Sequence, residues 1–206
     1  MPPVNSSQYE QLSKAVFDDD ADEVRRLVES GAQFAAHPKH GNTLLRTACQ
    51  RDALRALRAL LEMGGDPNER ITYRSPVDKR VEECFTPLMY VTSAAAAEIL
   101  VEFGANLNAT STTGLTALMR HAHFGSAEII ETLLRHGADT TLRRPKQRGR
   151  KPLSALEFAE DGLDFWLSLP KEHLKPGAET VIARHRRTVE LLRAASSELP
   201  VSTAIR

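Results

Sequence analysis

"GLTALMRHAHFGSAEIIETLLRHGADTTLR", residues 114–143, reads as a helix, a tight break, a second helix and a Gly-Ala-Asp turn. Thr116 opens the first helix, where its hydroxyl can cap free backbone amides. Ala117 takes the first helical position, which elsewhere accepts proline at little cost. Gly125 separates the helices, and Gly137 supplies the left-handed residue that ends the second. A pair this small cannot bury its own apolar face, so it requires neighbours of the same kind.

The neighbours are in the same chain. Residues 41–68, "GNTLLRTACQRDALRALRALLEMGGDPN", and 85–108, "FTPLMYVTSAAAAEILVEFGANLN", repeat the pattern. Residues 11–34 are a weaker copy, and a degenerate one begins at Lys151. The turn glycines Gly31, Gly64, Gly104 and Gly137 are spaced by 33, 40 and 33 residues. Asp20 and Glu23 have capping-box spacing for the second helix of the first copy.

This period, with Thr86-Pro87-Leu88, Thr116-Ala117-Leu118, Leu60-Leu61, Leu133-Leu134, Gly104-Ala105-Asn106 and Gly137-Ala138-Asp139, resembles the ankyrin repeat. The resemblance implies an all-α solenoid of about five helix-pair repeats, with β-hairpin fingers and a modified C-terminal cap. Repeats are expected at about 8–36, 37–69, 82–110, 111–143 and 149–196, in a single domain over 1–196 with a flexible tail at 197–206.

The pattern breaks in three places. Gly64 to Thr86 is ten residues longer than the ruler allows, which predicts an extended finger over 69–85, touching a partner through Tyr73, Arg74, Lys79 and Arg80 or serving only as a tolerated insertion. The third repeat is three residues short, and Ala94 to Ala97 stand where the inter-helix loop is expected, which predicts a shortened helix pair. An insertion over 162–176 precedes a closing helix that aligns Val181, Ile182, His185, Val189 and Leu192 on one stripe. Trp166 is expected to pin the insertion to this cap.

Catalytic motifs are missing from the sequence: no nucleophile elbow, phosphate loop, His-Glu-x-x-His or Cys-x-x-Cys occurs. His121 and His123 are two apart on one helix and cannot clamp a metal together. No enzyme activity, cofactor or metal is therefore expected. The 27 basic and 27 acidic residues cancel, and no run of 18 apolar residues is present. Without a secretory pattern at the start, and with only Cys49 and Cys84, a cytoplasmic setting is expected. The charge is uneven, with acids in "DDDADE" at 18–23 and bases in "RRPKQRGRK" at 143–151.

Ankyrin proteins generally act as binding modules. Carried across by position, the resemblance implies a concave groove with Phe17, Asp18, Lys39, Asn42, Gln50, Arg51, Glu82, Phe85, Thr113, Leu115, His123, Phe124, Arg150 and Lys151. Tyr73 and Arg74 join them from the long finger. Tyr73, Arg51 and Phe124 are the first choices as anchors, because aromatic and arginine residues dominate binding hot spots. The expected partner is another protein, met by a chain that is monomeric alone, with no membrane and no nucleic acid. The expected role is adaptor or inhibitor, in one version an immunity-type blocker of a toxin or enzyme. The alternative is nucleic-acid association through the basic C-terminal end.

Overall fold

The structure is a computed structural model that describes residues 6–32, 43–74, 82–146, 151–170 and 173–197. Helices dominate it, and the chain divides into two compact units at Thr113/Gly114.

The first unit carries α1 (Ser6–Phe17) and α2 (Ala21–Glu29), then α3 (Leu44–Arg51) and α4 (Leu54–Glu62). Strands β1 (Ile71–Arg74) and β2 (Glu82–Phe85) follow, then a 3-10 turn at Pro87–Met89 and α5 (Ala94–Glu102). The first helices form one layer, α1 on α3 on the 3-10 turn, and the second helices another, α2 on α4 on α5. Leu12, Val16, Val24, Leu44, Leu57, Leu60, Leu88 and Leu100 fill the space between the layers and are fully shielded from water. Each such side chain contributes about 1.5–3 kcal/mol through burial, and none of these pairs could bury them alone.

The second unit carries α6 (Ala117–His123), α7 (Ala127–Arg135), the short strands β3 (Arg143–Arg144) and β4 (Leu153–Ser154), α8 (Ala155–Ser168) and α9 (Ala178–Ser197). Here α6 packs on α8 and α7 on α9, around Leu118, Met119, Ile130, Leu133, Phe158, Val189 and Leu192.

The caps form where the hydroxyls stand. Thr43 accepts from the Arg46 amide at 3.1 Å and Thr116 from that of Met119 at 3.2 Å. The turn glycines all have positive φ, from 84° at Gly137 to 97° at Gly31. The turns that follow are closed by side chains: Asp66, Asn106 and Asp139 each accept from the amide two residues on, at 2.7–2.9 Å. Asn68 then ties one turn to the next, donating to the Gly104 carbonyl at 3.0 Å and accepting from the Asn106 amide at 2.7 Å.

A second register runs through the breaks between paired helices. Asp19, Asp52 and Gly125 lie twelve residues before a turn glycine, and all are left-handed, with φ of 54°, 55° and 64°. An aspartate there costs about 1 kcal/mol relative to glycine. Both aspartates offset this by reaching into the following repeat. Asp19 accepts from the Ala56 amide at 2.8 Å, in the first turn of a helix whose own N-terminal flank, Ala53, gives no side-chain cap. Asp52 accepts from the Ser93 hydroxyl at 2.5 Å, and Ser93 caps α5.

The third helix pair is shortened, as expected. The run Ala94–Ala97 replaces loop with the first turn of α5, because Ser93 caps it and alanine is the best helix former. The shortening falls on the first helix, which is reduced to the three-residue turn Pro87–Met89. Two expectations need correction. The segment expected to open an insertion at 162 continues α8 unbroken to Ser168. The capping box is only half made at α2: Asp20 accepts from Glu23, but the Glu23 carboxylate turns to Arg26 at 2.5 and 2.6 Å. The complete box is at α8, between Ser154 and Glu157.

Candidate protein-binding surfaces

In the first unit the helix breaks decide what is presented. Because α1 ends at Phe17 and α3 at Arg51, just before the left-handed aspartates, the last residues of both helices point past the packed layers. Phe17 is 53% exposed, and Asp18, Gln50 and Arg51 are exposed beside it. The Arg51 guanidinium lies over the Phe17 ring, its carbon 3.9 Å from the centroid. That is a close cation–π contact, worth about 0.5–1 kcal/mol at an exposed site. Asp18 is ion-paired with Lys14, one turn back on α1, and this carboxylate raises the Lys14 pKa.

The long finger is a hairpin, as expected. Its antiparallel register pairs Ile71 with Phe85, Thr72 with Cys84, Tyr73 with Glu83 and Arg74 with Glu82. Phe85 is corrected from groove residue to core residue: it is 5% exposed and meets Tyr90 edge to face at 5.6 Å. The β strand carries its ring inward onto the shortened first helix, where burial outweighs display. Lys39, Asn42, Lys79, Arg80 and Arg150 lie outside the described residues.

A polar anomaly lies on another side of this unit. Glu69 faces a cavity of about 230 Å³ with Leu44, Leu45, Leu60, Gly64, Gly65 and Asp66. One carboxylate oxygen has no hydrogen-bond partner among the described residues, and burial raises the group's pKa to about 6, against the hydrogen bond from Thr43.

In the second unit α6 ends in the same way. His123 and Phe124 are exposed, Phe124 by 55%. The His123 ring meets Phe124 at 5.3 Å and Phe158 at 6.3 Å, both edge to face. The Arg120 guanidinium lies 5.2 Å above Phe124. His121, by contrast, is packed away at 4% exposure, and Leu115 is half-buried. Lys151 is exposed, 3.5 Å from Glu157, and Arg143 bonds the same carboxylate at 2.6 Å. The Ser154 amide, its hydroxyl and Arg143 together hold the Glu157 carboxyl down to about 2. Part of the basic run is therefore neutralised within the fold.

Sequence reasoning missed Phe165 and Leu167, which are 59% and 50% exposed on the continuation of α8. The signal was the run Leu163 to Leu169, too apolar to have only one buried side. Trp166, between them, turns inward to the His185 ring at 6.5 Å, which pins the continuation to α9. Cys49 is a buried free thiol whose pKa burial pushes up, so it is unreactive.

Among the described residues no group of three or more His, Cys, Asp or Glu could hold a metal ion, and no helix is long and apolar enough to cross a membrane. A family model described as ankyrin repeats (three copies) matches residues 72–153. The B-cell lymphoma 3 protein homolog of Mus musculus is 26% identical over 206 residues, covering 94% of this chain and 44% of that protein. Ankyrin repeat domain-containing protein 63 of Mus musculus and of Homo sapiens is 30% identical over 117 residues, which is 53% of this chain. The chain spans less than half the length of these relatives. Ankyrin repeats are protein–protein interaction modules, and in its spacing, caps and paired layers, and in the match over residues 72–153, this chain is similar to the ankyrin-repeat proteins.

Proposed function

We propose that this chain binds another protein and acts by occupying it, as an adaptor or an inhibitor. The observation that carries this reading is the guanidinium-on-ring pair at the first-helix ends of each unit, Arg51 with Phe17 and Arg120 with Phe124, whose rings are 53% and 55% exposed. Aromatic and arginine side chains supply most of the energy in protein interfaces, and half-exposed rings gain from being covered. The sharper form of the proposal is an immunity-type inhibitor that covers the active site of a toxin or enzyme. A chain with only two cysteines, Cys49 and Cys84, fits a cytoplasmic setting. Nucleic-acid binding through the basic end draws less support, because Glu157 engages both Arg143 and Lys151.

The test is capture of the partner from the native source, followed by an activity assay with and without the chain. A captured enzyme that is silenced supports inhibition. An enzyme left unaltered, or a partner with no activity, leaves the adaptor. Oligonucleotides that bind at low salt while no protein is captured would overturn the proposal.

A further inference from the structure

We infer that the Phe17–Arg51 pair is a docking point for a carboxylate side chain carried beside an apolar one on the partner protein. This rests on the protein-binding reading above and specifies its chemistry in the first unit. Arg51 is held by the face of its guanidinium, which stacks on the ring at 3.9 Å. Stacking leaves the N–H edge unspent, and that planar fork matches a carboxylate in two parallel hydrogen bonds.

The neighbouring acids are already engaged. Asp18 is paired with Lys14, and Asp52 accepts from the Ser93 hydroxyl. No carboxylate among the described residues lies within ion-pair distance of Arg51, whereas Arg25, Arg58 and Arg193 meet Glu62, Glu102 and Glu160 at 2.6–2.9 Å. A guanidinium fixed in place before binding also loses less freedom when an acid arrives.

The pair selects a protein over a polyanion. Asp52 stands beside it with negative charge, and Lys14, the one cation on α1, is offset by Asp18. A run of phosphates would meet Asp52 and find no second unpaired cation on α1, whereas a single acid needs only Arg51. Phe17, 53% exposed, offers an apolar shelf that a phosphate backbone leaves uncovered. The ligand the site fits is an Asp or Glu with an aliphatic or aromatic neighbour.

The experiment is selection of a random-peptide display library on the full chain, followed by anisotropy titration of the enriched peptide. Expected is an acidic residue beside an apolar one, with affinity falling roughly tenfold or more when the acid is replaced by its amide. Arg51→Gln, Arg51→Lys and Phe17→Ala should each weaken binding to a similar degree, lysine failing because it keeps the charge but loses the fork. Arg55→Gln, an exposed charge on α4, should bind as the wild type, and all four variants should unfold as it does. Peptides without the acid, an amide version that binds equally, indifference to Arg51→Gln, or no enrichment would each overturn the inference. Enriched peptides that depend on Phe124 instead would overturn it while leaving the protein-binding reading intact. Displacement of the peptide by single-stranded DNA in an Arg51-dependent way would reassign the site to phosphate.

Discussion

Gly162 on α8 faces the His185 ring on α9 so closely that a methyl group at Gly162 would stand 3.0 Å from Cε1 of the imidazole and 2.7 Å from the carbonyl oxygen of His123. The helix takes glycine here although alanine would favour helix by about 1 kcal/mol. Gly162→Ala should therefore destabilise the chain, by about 1–3 kcal/mol of overpacking. Urea unfolding checks this, and a gain in stability would show that α8 and α9 are free to separate.

The pH response should differ between the units. His185 is 2% exposed and its Nδ1 has no hydrogen-bond partner among the described residues. Burial first, then the charges of His123 and Arg184, lower its pKa from 6.5. The unfolded chain therefore takes up the proton more readily, and the second unit should lose stability as pH falls below 6.5. Glu69 has the opposite sign. Its pKa is raised from 4.5 to about 6, so the folded form takes up the proton first and the first unit gains stability as pH falls from 7 towards 4.5. Hydrogen exchange at pH 7.5 and 5.5, corrected for intrinsic rates, should show protection shifting from α6–α9 to α1–α4. Glu69→Gln should remove the gain. Equal loss in both regions would contradict this assignment.

Asp19 supplies a cap and bears a left-handed backbone at once. Asp19→Ala removes the bond to Ala56 and keeps the strain, for an expected loss of about 1–3 kcal/mol. Asp19→Gly relieves the strain and should cost less. Chemical denaturation of both variants decides it. Equal losses would mean that the backbone conformation carries no cost.

Phe124→Ala should leave unfolding within about 0.5 kcal/mol, because the ring is mostly outside the core. Binding to the captured partner should fall roughly tenfold or more if this end of α6 is a hot spot. Calorimetry with the partner measures both quantities on one sample. Unchanged affinity would remove Phe124 from the interface.

The parts of the fold that follow from local chemistry were legible. Thr43, Thr116 and the turn glycines act where their spacing put them, because a hydroxyl cap and a left-handed turn each need one residue type at one position. Position on the ruler was less informative where length changed. The missing residues of the third repeat could have come from either helix, and alanine propensity settled that the second kept its length. Phe85 was placed by its rank in the repeat, but the hairpin hands its ring to Tyr90. The Phe17–Arg51 contact joins neighbouring repeats one step off register, so comparing equivalent positions could not find it. Both members were nevertheless visible as exposed ends.

The carboxylates that reach onward give the first unit a direction. Asp19 serves a helix start in the second repeat, and Asp52 serves the residue that opens α5. Trimming this array from its amino-terminal side therefore strips support from what is left, whereas trimming from the opposite side leaves each surviving start equipped. A designer grafting a foreign repeat into the stack should keep the donor upstream of its recipient, since exchanging their order would orphan both.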